Sequence, residues 1–228
     1  MFDGKFRTPV DKAVKPVGNA LRRTGLTPDH LTVLGLLVGI GAAVAIGSGR
    51  LLLGLFLVVL AALPDLLDGA LAKASDASSQ RGAFFDSTVD RVTDAFLLGG
   101  IAWYLASEES PHMALLPFAV MAVSSIISYE RAKAESLGIE AKGGLMERAE
   151  RIIAICLGLL IPVLLIPILW LMLALTTITA VQRFVKVWKQ AAVAPVTAER
   201  IEMRRSRRQS RRVARTERRR TRVPRRRP

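Results

Sequence analysis

Residues 63–94 read LPDLLDGALAKASDASSQRGAFFDSTVDRVTD. Asp65 and Asp68 close one apolar block, Asp86 and Asp90 open the next, and a polar stretch lies between them. An ionised carboxylate in or beside apolar surroundings costs several kcal/mol unless something compensates it. Spacings of three and four put each pair on one face of a helix. If the two helices are antiparallel neighbours joined by the polar connection, all four carboxylates converge at one end. Salt bridges to Lys73, Arg81 or Arg91 would account for any single aspartate. Four of them bracketing a polar loop point instead to shared cations. An all-oxygen, carboxylate-rich set suits hard divalent ions such as Mg²⁺ or Mn²⁺, and two of them use four ligands best. Gly69 and Gly82 beside the pairs lack side chains, which either lets a diphosphate approach the backbone or lets helices pack closely.

The surroundings of this stretch set the fold class. Of 228 residues, 51% are hydrophobic, and the mean hydropathy is positive. The apolar residues fall in six blocks: Leu31 to Ser48, Leu51 to Leu71, Phe84 to Ala106, Met113 to Tyr129, Ile152 to Ile166 and Ile168 to Val187. Each is near the roughly 20 residues a helix needs to cross the hydrocarbon core, although the fifth is short and ends at Pro167. The pattern predicts an all-α integral membrane protein with six transmembrane helices. Basic residues crowd the N-terminus, the connections after the second and fourth blocks, and the C-terminus, whereas the other connections hold only Arg50. That asymmetry predicts a multi-pass protein of the cell membrane with both termini cytoplasmic.

The ends differ from the body. Residues 1–23 interleave Phe6, Val10, Val14 and Val17 with lysines and arginines. They read as an amphipathic juxtamembrane helix lying on the cytoplasmic interface, with a disordered basic leader as the alternative. Residues 24–190 form the six-helix domain, and 191–228 a disordered Arg-rich cytoplasmic tail. Thr197 to Pro228 holds fifteen Arg against three Glu, so +12 of the formal net charge of +14 sits there. Such a segment is too charged to build a core and is drawn to anionic lipid. Nucleic acid is the weaker alternative, because no aromatic platform accompanies the arginines. Cys156 is the one cysteine, which excludes a disulfide framework within the chain and a cysteine metal site.

Residues 65–90 also spell D-x-x-D-G-x-x-A-K-x8-G-x3-D-x3-D. This resembles the signature of the CDP-alcohol phosphotransferases, membrane enzymes of phospholipid synthesis, except that Lys73 stands where the family usually has Arg. Lysine keeps the charge but not the planar fork. The resemblance implies a homodimer of six-helix protomers, with Asp65, Asp68, Asp86 and Asp90 holding two Mg²⁺ (or Mn²⁺) ions. It also implies that Asp90 takes the proton of the attacking hydroxyl, which is a poor nucleophile without a positioned base.

The CDP-lipid contacts follow from the same resemblance. In GLTPDHLTVLG, Pro28 can open a helix and Asp29 sits in its first turn. In the family a similar segment lies against the nucleotide. Asp29, His30, Leu31 and Thr32 are therefore expected to contact the CDP-lipid with Gly69, Lys73, Ser79 and Gly82, although His30 alone reads more simply as a turn residue.

The acceptor is read from a second cationic set: Arg131 and Lys133 in ISYERAKAE, Arg148 and Arg151 in GGLMERAERI, and Arg183 in AVQRFVKVW. Lys133, Lys186 and Lys189 are explained by membrane topology. Arg151 and Arg183 lie deeper in apolar runs and call for a buried anionic partner. The pattern resembles the bacterial family members whose acceptor is inositol 1-phosphate. There, positions like Ser128, Arg131, Arg151 and Arg183 bind the acceptor phosphate. The implied reaction moves the phosphatidyl group of CDP-diacylglycerol to inositol 1-phosphate, with glycerol 3-phosphate as the alternative acceptor. A non-catalytic anchor with a nucleic-acid-binding tail is the alternative of another class. It leaves the costly intramembrane carboxylates without a use.

Overall fold

A computed structural model describes residues 28–62, 80–141 and 143–192. The juxtamembrane segment 1–23, the connection carrying Asp65 and Asp68, and the tail from 193 onward lie outside the described residues. The chain divides into a unit ending at Phe184 and a second from Val185 to Pro228. Residues 185–192 are the described part of the second unit.

Among the described residues every regular element is helical. Helix α1 spans Pro28–Gly47 and opens with the proline, whose missing N–H costs nothing in a first turn. It ends where Gly49 takes a φ of 78°, with Gly49 N–H donating to Ile46 O at 2.9 Å and Arg50 N–H to Ala45 O at 2.9 Å. This pair of bonds closes a helix end through a left-handed residue. The chain then turns at once into α2, Leu51–Ala62. Helix α3 spans Gln80–Glu108, α4 Leu115–Ser136, α5 Arg148–Leu160 and α6 Leu165–Ala191. Short 3₁₀ turns, Pro111–Ala114 and Pro162–Leu164, lead into α4 and α6.

Helix α3 is the centre of the packing. Its buried stripe, Val89, Thr93, Leu97, Gly100, Ile101 and Leu105, recurs at helical spacing, and α1 and α4 pack on it. Gly100 is required at the α1 crossing, because a Cβ there would run into the Ala43 carbonyl. The core joins Ile46, Val58, Leu97, Ile101, Val120, Leu159, Leu165, Leu169 and Met172, so all six described helices contribute. Large apolar side chains also face outward, among them Leu37, Phe56, Trp103, Phe118 and Trp170. An apolar exterior of that extent suits lipid rather than water. Among the described residues three helical stretches are long and apolar enough to cross a membrane: Asp29–Gly47, Pro111–Ser136 and Pro162–Ala191.

Two predicted boundaries are corrected. The fourth block was expected to end as a helix at Tyr129, but α4 runs to Ser136, so Arg131 and Lys133 are helical rather than in the following loop. Glu, Arg, Lys and Ala are good helix formers, and the helix continues where the apolar run stops. The fifth block was expected to close at Pro167. The break falls instead at Ile161 and Pro162, and Pro167 lies in the first turn of α6, where a missing N–H is tolerated.

Candidate functional site

The N-terminal half of α3, the C-terminal half of α4, the first turn of α5 and α6 around Arg183 are linked by side-chain contacts within the first unit. Asp86 and Asp90 lie one turn apart on α3, both half-buried. Asp90 Oδ1 accepts from Arg148 Nη1 at 2.8 Å, and its Oδ2 lies 3.8 Å from Arg91 Nη1. One turn further along α3, Asp94 Oδ2 accepts from Arg151 Nη2 at 2.6 Å, and its Oδ1 lies 3.4 Å from Arg148 Nε. Two carboxylates and two guanidiniums thus alternate in a compensated row, which makes burial of all four tolerable.

Helix α5 presents its two arginines because of how it starts. Glu147 is the N-cap, and its backbone N–H donates to Glu150 Oε2 at 3.2 Å in a reciprocal capping box. Arg148 and Arg151 then fall three apart in the first turn, on one side of the helix.

Arg183 is held from two other directions. Its Nη1 donates to Ile127 O of α4 at 3.0 Å and its Nη2 to Gly143 O at 2.9 Å, with Glu147 Oε1 at 3.9 Å. The segment supplying Gly143 and Glu147 is tied to α6 by Thr179, whose Oγ1 accepts from the N–H groups of Leu145 and Met146, each at 3.2 Å. Gly143 has a φ of 96°, and a Cβ on Gly144 would collide with the Thr179 methyl. The segment therefore lies flush against α6.

Three buried side-chain polar atoms on α4 and α6 have no hydrogen-bond partner among the described residues: Ser124 Oγ, Glu130 Oε2 and Arg183 Nε. Buried polar groups are nearly always paired, so the unpartnered Nε of Arg183, a guanidinium already oriented by two carbonyls, suits an anionic ligand.

The other expected site residues fall as follows. Asp29, His30, Leu31 and Thr32 form the first turn of α1, with Leu31 and Thr32 buried and His30 exposed. His30 is thus helical and not a turn residue, since Pro28 starts the helix two residues before it. Gly82 is in the first turn of α3. Ser128 donates to Ser124 O at 3.1 Å within α4, and the exposed Arg131 pairs with Glu135 at 3.1 Å. Neither is drawn into the Asp90–Arg151 row. Asp65, Asp68, Gly69, Lys73 and Ser79 lie outside the described residues. Among the described residues no three carboxylate, histidine or cysteine side chains gather as a metal centre, Asp86 and Asp90 being two of the motif's four.

Sequence reasoning missed Asp94 and Glu130. Asp94 continues the spacing of Asp86 and Asp90 by one more turn, a signal that was present. Glu130 stands between Ser128 and Arg131, but its burial follows from helix packing.

Residues 25–188 match the sequence profile of the CDP-alcohol phosphatidyltransferases, and the chain belongs to that family. It is therefore an enzyme, which sets aside the anchor reading. Phosphatidylinositol phosphate synthase of Mycobacteroides abscessus is 38% identical over 149 residues, 64% of this chain and 68% of that one. The Mycobacterium tuberculosis phosphatidylinositol phosphate synthase with CDP-DAG bound superposes with a TM-score of 0.73 at 32% identity, over 78% of this chain and 94% of that one. The same enzyme in complex with manganese and citrate superposes equally well, at 32% identity over 77% and 88%.

Proposed function

We propose that this chain transfers the phosphatidyl group of CDP-diacylglycerol to a hydroxyl of inositol 1-phosphate, giving phosphatidylinositol phosphate and CMP. The acceptor oxygen attacks the phosphorus that bears the diacylglycerol. A new P–O bond forms, the bond to the CMP phosphate breaks, and the hydroxyl proton passes to Asp90. The relatives named above support both substrates. The observation that carries the acceptor is Arg183: its side chain is 4% exposed, two carbonyls orient it, and its Nε has no partner among the described residues. The phosphate of a phosphorylated acceptor would satisfy it.

Asp86 and Asp90 fit a hard divalent cation, being half-buried carboxylates one turn apart on a rigid helix. With Asp65 and Asp68 they would hold two Mg²⁺ or Mn²⁺ ions, which supply neutralising charge for the diphosphate. The first turn of α1, Gly69, Lys73, Ser79 and Gly82 would line the CDP-lipid site. Ser128, Arg131, Arg151 and Arg183 would bind the acceptor phosphate. The same reading takes the protein as a homodimer of six-span protomers in the cell membrane, with a juxtamembrane helix, both termini cytoplasmic and the basic tail against anionic lipid.

The test is initial-rate kinetics of purified enzyme with CDP-diacylglycerol and inositol 1-phosphate, inositol or glycerol 3-phosphate. Inositol 1-phosphate should be preferred and free inositol poor. Arg183→Ala removes a charge-assisted contact worth about 1.5–3 kcal/mol, raising the acceptor KM roughly ten- to a hundredfold with the CDP-lipid KM unmoved. Preference for glycerol 3-phosphate would replace the inositol assignment.

A further inference from the structure

Asp94 has no part in the four-aspartate motif, yet it makes the shortest ion pair of the row, 2.6 Å to Arg151. The side chains of Arg151 and Asp94 are 7% and 15% exposed. A buried guanidinium needs an anion, and a long arginine side chain holds one direction only if something fixes its tip. Asp94 does this through Nη2, leaving the other guanidinium nitrogens uncommitted to it. Its second oxygen faces Arg148 at 3.4 Å, the residue that reaches Asp90 at 2.8 Å. One carboxylate therefore touches both arginines of the first turn of α5 and, through Arg148, the proton-accepting aspartate.

We propose that Asp94 is a positioning residue of the acceptor site, fixing Arg151 toward the acceptor phosphate and sharing Arg148 with Asp90 so that phosphate grip and proton acceptance keep one register. This rests on the reading of Arg151 as an acceptor ligand. Without the Asp94 charge, Arg151 loses its anchor, and Arg148 loses the contact through its Nε while keeping Asp90.

The experiment is a double-mutant cycle on the full chain in detergent, with wild type, Asp94→Asn, Arg151→Ala and the pair. The KM for inositol 1-phosphate and for CDP-diacylglycerol are measured separately. Asp94→Asn should raise the acceptor KM about tenfold and move the CDP-lipid KM less than about twofold. The double variant should be no worse toward the acceptor than Arg151→Ala, because Asp94 acts through that arginine. Asp94→Glu, which keeps the charge, should fall between wild type and Asp94→Asn. A merely structural role would lower thermal stability without separating the two KM values. A raised acceptor KM in Arg151→Ala with a wild-type value in Asp94→Asn, or losses that multiply in the double variant, overturns the proposal. If both single variants instead raise the CDP-lipid KM non-additively, the positioning stands and the acceptor reading of Arg151 falls. Should Asp94→Asn not fold, Asp94→Glu decides alone, and a wild-type acceptor KM there overturns the proposal.

Discussion

Asp90 meets Arg148 with one oxygen and approaches Arg91 with the other, so its carboxylate is fixed in direction before any substrate arrives. A carboxylate oriented in this way differs from its amide in one respect that matters for the proposed reaction, the ability to accept a proton. Asp90→Asn should therefore fold and insert normally but lose turnover by about a hundredfold or more. Size-exclusion profiles in detergent alongside initial rates check this, and near-normal turnover would remove Asp90 as the base. The two motif aspartates on α3 were legible because a carboxylate is conspicuous in an apolar run and spacings of three or four have one helical meaning. Asp94 obeyed the same spacing. It was passed over because the family motif stops at Asp90, although the physics does not.

At the scale of elements, the segment from Gly143 to Glu147 depends on one hydroxyl. Thr179 is fully buried and takes two backbone N–H groups from that segment while donating to Leu175 O at 2.8 Å. Thr179→Val keeps the shape and strands both donors, a loss of about 1–3 kcal/mol. The expected outcome is a lower unfolding temperature in detergent and a raised acceptor KM, since Gly143 O is one of the two carbonyls orienting Arg183. An unchanged unfolding temperature would show that water replaces the hydroxyl. Apolar blocks located the helices, but they report where oil ends rather than where a helix ends. Glu130 to Ser136 are mostly polar and helical all the same. Pro162 and Pro167 look alike in sequence, and only the packing of α6 decides which of them breaks the chain. The burial of Glu130 was illegible for the same reason.

Over the whole molecule the charge is divided unevenly, +12 of +14 lying in residues 197–228. Removing them should leave turnover in detergent largely intact and weaken binding to anionic vesicles, with the difference from the full chain shrinking as salt is raised. Vesicle flotation at low and high salt checks the second part, and a folded but inactive truncation would overturn the first. The break at Pro162 has a further consequence on the six-span reading. Helix α5 has 13 residues, about 20 Å at 1.5 Å per residue, against a hydrocarbon core of about 30 Å. The bilayer must thin, or water must follow Arg148 and Arg151 inward, to cover the difference. On that reading the short helix would open a local dimple in the membrane, where a water-soluble sugar phosphate and the headgroup of a lipid could meet at the same depth.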